Sequence, residues 1–279
     1  MNHKLDNNEK CLNCGATVKG NFCQDCGQHA RDNTDRSLSL LLGQFFGNLF
    51  FLDNRFLKSF GYLFGYPGRM TSEFLAGQRK KFVPPITLFL FVNLIFFLVN
   101  PLTDYSIALY DQMYAQPYSP LIKDLVQNKL ETEELEIDAY SMVYQKMSDN
   151  ISKTIMIMNA PLIALLIYLM AFKKRQFYFD SLIFSLHFFT LFMLSWIMSD
   201  WTGKLTKLLP DVYESLIDQI LYPLWLTLIP LIYAVLSIKK FLQLRWYWSI
   251  PAGIGVLMSV LIVNLVYRFI VFFISFLAT

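Results

Sequence analysis

The stretch Ile250–Leu277, IPAGIGVLMSVLIVNLVYRFIVFFISFL, decides the fold class. Its one charged residue is Arg268. About 20 predominantly apolar residues suffice to cross a bilayer as a helix, which satisfies its own backbone hydrogen bonds there. Four more such runs precede it, at 84–103, 151–172, 181–199 and 216–238, giving about five transmembrane helices in an all-α bundle. Asn93 and Asn100 interrupt the first run. Pro223 and Pro230 lie in the fourth and predict a kink, because proline withholds a helix hydrogen bond.

The composition agrees. Of 279 residues, 55% are hydrophobic and only 16% are charged, with a mean hydropathy of +0.40. Soluble domains carry about a quarter charged residues. A freely soluble globule is therefore excluded, and so is disorder, which needs low hydrophobicity and high charge. A net charge of +3 is too small to imply nucleic-acid binding. The polar opening MNHKLDNNEK predicts insertion through the first hydrophobic helix rather than a cleavable signal peptide.

The placement of charge sets the orientation. Basic clusters at Arg79–Lys81, Lys173–Arg175 and Lys239–Lys240 with Arg245 all fall on one side of a five-span topology. The 104–150 loop, with nine acidic residues and three lysines, falls on the other. Lys and Arg collect on the cytoplasmic side of inner-membrane proteins. The expected location is thus the inner (plasma) membrane, multi-pass, with the N-terminus cytoplasmic and the C-terminus outside. In the outer loop, Ser119-Pro120 reads as a helix start, with Leu121, Ile122, Leu125 and Val126 as its apolar stripe. A second helix over 131–150 is expected to run on into the second span.

All four cysteines lie near the N-terminus, as Cys11-x-x-Cys14-Gly15 and Cys23-x-x-Cys26-Gly27. Each C-x-x-C turn offers two sulfurs to one metal face, and the following glycine lets the chain curl with φ > 0. Eight residues separate the pairs, with Val18–Phe22 read as a hairpin turn and return strand. A cytoplasmic setting keeps the thiols reduced. The expectation is one structural zinc ion held by Cys11, Cys14, Cys23 and Cys26 in a small zinc ribbon spanning 1–36. A redox dithiol is the rival reading, with His3 and His29 as spare ligands or plain surface residues.

Between the ribbon and the first span, residues 37–83 read as an amphipathic membrane-surface linker. Leu38, Leu41, Leu42, Phe45, Phe46 and Leu49 fall on one helical face too short to span, and Arg55–Phe64 forms a second such segment. Gly43-x3-Gly47 matches a helix-dimer spacing. The motif order is distinctive. The knuckles are followed by Leu52-Asp53-x-Arg55-Phe56-Leu57-Lys58-Ser59, then Tyr66-Pro67-Gly68, then Phe74-Leu75-x-Gly77-x-Arg79-x-x-Phe82-x-x-Pro85. This order resembles an uncharacterised bacterial zinc-ribbon membrane protein family, known as domain of unknown function family 3667. The resemblance is specific over about 11–85 and extends beyond only in hydropathy; Gln78 departs from the small or other polar residue expected there. It implies a zinc ribbon, this linker and several spans. It implies no activity, substrate or catalytic residue.

Inside the spans, His187 and Arg268 are the ionisable candidates for an intramembrane role, since charge at membrane depth is costly. The plainer alternatives are a packed His187 hydrogen-bonded to a neighbouring helix and an Arg268 that snorkels outward or pairs with Asp200. Asn93, Asn159 and Asn264 are read as helix-bridging amides. No H-E-x-x-H, G-x-S-x-G or glycine-rich phosphate loop occurs. The leading functional reading is a non-enzymatic membrane protein whose ribbon is a binding or assembly module, anchored by the bundle. Its implied partners are the lipid bilayer and a protein docking on the ribbon, with a homo-oligomer left open. The alternative is a small transporter, permease subunit or lipid-handling protein using polar residues in the bundle.

Overall fold

A computed structural model describes residues 10–29, 54–99, 107–174, 177–207 and 219–279. The predicted face from Leu38 to Leu49, the Gly43/Gly47 pair, His3 and Asn100 lie outside the described residues.

The described chain beyond the cysteines is helical, with no strand. In order, the helices are α1 (Asn54–Gly65), α2 (Arg69–Leu75), α3 (Pro85–Val99), α4 (Leu109–Tyr114), α5 (Ser119–Thr132), α6 (Ile137–Met170), α7 (Tyr178–Thr206), α8 (Gln219–Phe241) and α9 (Trp246–Ala278). Four of them, α6 to α9, are long and apolar enough to cross a membrane, and α3 is a shorter apolar helix of 15 residues. This is the expected membrane-like all-α bundle, with α6, α7 and α9 longer than the apolar runs that mark them. α6 has 34 residues, roughly 51 Å at 1.5 Å per residue. Its first half carries Asp138, Lys146, Asp149 and Lys153, and a 3₁₀ turn at Met156–Met158 joins it to the apolar half.

α7 is the axis of the bundle. Its sequence is apolar all round, the pattern of a helix buried on every side. Phe184 stacks on Phe241 of α8 with ring centroids 4.9 Å apart, and Phe189 meets Phe89 of α3 at 5.9 Å. Ser185 Oγ donates to the Ala160 carbonyl of α6 at 2.7 Å. α1 and α2 join the same core through the buried Phe56, Leu63, Met70 and Phe74.

α8 departs from α-helical geometry between its two prolines. Leu224–Leu228, between Pro223 and Pro230, is π-helical. Pro230 can donate no hydrogen bond and its ring crowds the carbonyl four residues back, so the ladder widens by one residue there.

α4, α5 and the start of α6 pack on the end of α9. Leu109, Met113, Ile122, Val126, Tyr140 and Tyr144 enclose Phe272 of α9. Lys129 Nζ donates to the Phe276 carbonyl at 3.2 Å, and the Tyr140 and Thr279 hydroxyls lie 3.0 Å apart. Two details differ from the sequence reading. Leu121 is exposed, so the stripe is Ile122, Leu125 and Val126. The second helix starts at Ile137 because Glu134, at φ +53°, breaks the chain after α5.

Candidate metal centre and its seat on the bundle

The two C-x-x-C-G knuckles fold alike. In the first, the Cys11 N–H donates to the Ala16 carbonyl at 2.7 Å and the Gly15 N–H to the Cys11 carbonyl at 2.8 Å. In the second, the Cys23 N–H donates to the Gln28 carbonyl at 2.8 Å and the Gly27 N–H to the Cys23 carbonyl at 2.9 Å. Gly15 and Gly27 both take the positive φ that the spacing predicts, +81° and +68°. The expected hairpin over Val18–Phe22 does not form. Each knuckle is instead closed by its own antiparallel bridge, Lys10 with Thr17 and Phe22 with His29. Each bridge closes a loop of six residues, 11–16 and 23–28.

The knuckles bring all four sulfurs together. Cys11 Sγ lies 3.6 Å from Cys26 Sγ, and Cys14 Sγ lies 3.5 Å from Cys23 Sγ. All four ligand atoms fall within 4.8 Å of one another. Four sulfurs at about 2.3 Å from a tetrahedral zinc ion would be roughly 3.8 Å apart. The cluster therefore fits a metal of that size, and each close pair joins one knuckle to the other. Backbone N–H groups of Cys26 and Asp25 bring the Cys23 thiol down to about 7, whereas burial and the neighbouring cysteines raise the Cys14 and Cys26 thiols. His29 stands outside the cluster; its ring packs edge-on against Phe22 at 4.7 Å.

The unit is seated on the chain that follows α2. Gln28 Nε2 donates to the Gly77 carbonyl at 2.7 Å, and Gln28 Oε1 accepts from the Arg79 N–H at 3.2 Å. Beside them, Leu12 covers Gly77, where an added Cβ would lie 2.6 Å from Leu12 Cδ1. Gly77 has φ +93°, so its lack of a side chain serves both the turn and the close approach. The first knuckle has Ala16 at the position equivalent to Gln28, and only the second makes this two-point contact.

The same segment reaches into the bundle. Gly68, at φ +71°, starts α2 so close to α8 that an added Cβ would lie 2.8 Å from Ser237 Cα. Three residues on, Thr71 Oγ1 lies 2.8 Å from Nδ1 of the fully buried His187. Glu73 pairs with Arg69 and Lys81 beneath the loop, and the Val83 N–H donates to Ser59 Oγ at 3.0 Å. Residues 53–97 match a family described as Protein of unknown function (DUF3667). The matched segment is α1, α2, the Gly77–Arg79 seat and most of α3, and the match bears out the resemblance carried by the linker motifs. No curated protein and no solved structure matches the chain.

The two intramembrane candidates lie against different elements. His187 faces α2 through Thr71, and its Nε2 finds no hydrogen-bond partner among the described residues. Arg268 lies beside Tyr118. Burial raises the Tyr118 phenol to about 12 and the charge of Arg268 opposes that rise. Among the described residues Asp200 takes Lys204, one turn on, at 2.6 Å. Asn93 Nδ2 and Asn159 Oδ1 are buried without hydrogen-bond partners among the described residues. The seat formed by Gln28 was missed from sequence. The only signal was that Gln28 breaks the repeat set by Ala16.

Proposed function

We propose that this is a non-enzymatic inner-membrane protein in which Cys11, Cys14, Cys23 and Cys26 hold one structural zinc ion. The cytoplasmic unit they form is a binding or assembly module, and the helical bundle anchors it. The observation that carries this reading is the two-point seat of Gln28 on the Gly77–Arg79 loop. It holds a thiol-rich unit in a fixed position on a membrane-like bundle. Four thiolates fill a tetrahedral zinc and leave no position for a substrate or water, which favours a structural ion. Zinc would supply folding energy to a unit whose own core is Cys11, Val18 and Cys23. The orientation rests on charge. The basic ends of α6 and α8 and the Arg79–Lys81 segment lie towards the start of α9, with Met170 against Gly255 and Gly68 against Ser237. The acidic outer segment packs at the other end, on Phe272. The alternative of transport through the bundle draws less support, because His187 and Arg268 face different elements.

The test is capture from native membranes by cross-linking, comparing the intact protein with a Cys14→Ser/Cys23→Ser variant of equal abundance. The reading expects a specific partner cross-linked to residues 10–29 and lost in the variant. The same set of partners in both samples overturns it.

A further inference from the structure

A cleft of about 660 Å³ opens between the turn that precedes α2 and the end of α8. Its lining includes Tyr66 and Arg69 on one side and Leu236, Lys239, Lys240 and Leu244 on the other. We propose that this cleft binds the phosphate headgroup of an anionic phospholipid.

Three cations and no carboxylate line the cleft. Lys239 and Lys240 form no ion pair among the described residues. Arg69 spends Nε on Glu73 at 2.8 Å, and among the described residues its two terminal nitrogens make no hydrogen bond. A guanidinium with two free nitrogens and two ammonium groups is a donor set for phosphate oxygens. A choline or ethanolamine group would find no counter-charge in the lining, so the site favours a lipid with net negative charge. Leu236, Leu244 and Tyr66 supply apolar wall for the glycerol and upper acyl chain.

The cleft lies at headgroup depth. α8 ends at Phe241, and α9 begins five residues later with Trp246, Tyr247 and Trp248, each more than half exposed. Exposed aromatic residues at the end of an apolar helix mark the membrane–water interface. The walls are also held in place before any ligand arrives. Gly68 is wedged against Ser237, Lys239 Nζ lies 4.2 Å from the Trp246 ring centroid, and Arg69 packs over Tyr62 and Tyr66. A preformed site loses less entropy on binding.

The test uses the full-length protein in nanodiscs of equal phosphatidylglycerol and phosphatidylcholine, with retained lipid counted by native mass spectrometry. Each cation near the charge is worth about fivefold in affinity. Lys239→Gln/Lys240→Gln should therefore cut the retained phosphatidylglycerol roughly tenfold or more. Lys146→Gln, at the other end of the bundle, should leave it unchanged. The assignment is overturned if the double variant keeps its phosphatidylglycerol, if Lys146→Gln loses as much, or if inorganic phosphate displaces the lipid and binds equally well in pure phosphatidylcholine discs. A second measurement stands apart from the variant's folding. Phosphatidylglycerol with a photoreactive group near its phosphate should label peptides containing Tyr66–Arg69 or Leu236–Leu244 in the unaltered protein. Labelling confined to other segments overturns the proposal.

Discussion

Gln28 and Gly77 are joined by a hydrogen bond of 2.7 Å across 49 positions of sequence, from the side chain of the second knuckle to the main chain of the loop after α2. The return contact, from the Arg79 N–H, makes the joint two-pointed and fixes the unit's rotation as well as its distance. Gln28→Ala removes both bonds and leaves the buried Gly77 carbonyl and Arg79 N–H with only the 3.0 Å bond between themselves, at about 1–3 kcal/mol. The four cysteines are untouched. Metal content should stay at the level of the unaltered protein while amide exchange over residues 76–82 rises. Unchanged exchange there would show that the seat does not depend on Gln28.

Elemental analysis of the purified protein should find one zinc per chain. Cys14→Ser/Cys23→Ser takes one sulfur from each knuckle, including the pair 3.5 Å apart, and should abolish binding. Stripping the metal with a chelator should expose residues 10–29 to protease and spare the helices. Metal-free protein with an equally protected N-terminal unit would contradict a folding role for the ion.

Gly68→Ala tests the wedge between the linker and α8. A side chain there must adopt φ +71° and meet Ser237 backbone atoms at 2.8 and 2.9 Å. The left-handed conformation alone costs about 1–3 kcal/mol, before any displacement of α8. The melting temperature in detergent should fall clearly, whereas Gly61→Ala, where an added Cβ meets nothing within 4 Å, should have little effect through contacts.

Thr71 and His187 call for a double-mutant cycle. Thr71→Val leaves Nδ1 of a buried imidazole without its partner, at about 1–3 kcal/mol. Thr71→Val combined with His187→Leu removes both polar groups and should recover most of that loss. Recovery marks the pair as a packing contact, and additive losses would show that His187 is retained for another reason.

Glu73 gives a pH dependence whose sign is determined. Partial burial pushes its carboxyl up, but Lys81 and Arg69 outweigh this and hold it below its ordinary 4.5. A group depressed in the folded state contributes its stability in full above the unfolded value and loses it as pH falls through the folded one. The melting temperature should therefore drop below about pH 4.5. Glu73→Gln should melt lower at neutral pH and show a shallower drop in acid. An identical acid profile for the two proteins would rule out this pair as the source.

The membrane-like character, the site of the π-helical turn in α8 and the four-thiol set are properties of single segments, so they were legible. The run from Ile250 to Leu277 needs a non-aqueous surrounding whatever its neighbours are. Pro230 spoils the same backbone bond in any setting, and C-x-x-C-G fixes two sulfurs by local turn geometry. Hydropathy set the α6, α7 and α9 spans too short because it stops at the first charges, whereas α6 carries its lysines and aspartates on a helix that continues through a 3₁₀ turn at Met156–Met158.

Other features depended on which surfaces meet. Hydropathy states that a residue must leave water and is silent on the neighbour that replaces it. Thr71 and His187 are 116 positions apart, and only the packing of α2 on α7 brings them together. The cleft exists because the Pro67-Gly68 turn stops short of filling the angle between itself and the end of α8. The sequence by itself determined a helical, membrane-like chain with a four-thiol unit at its start. Tertiary structure decided that this unit is seated on the bundle and that the linker penetrates it, because both depend on distances between segments that no local pattern encodes.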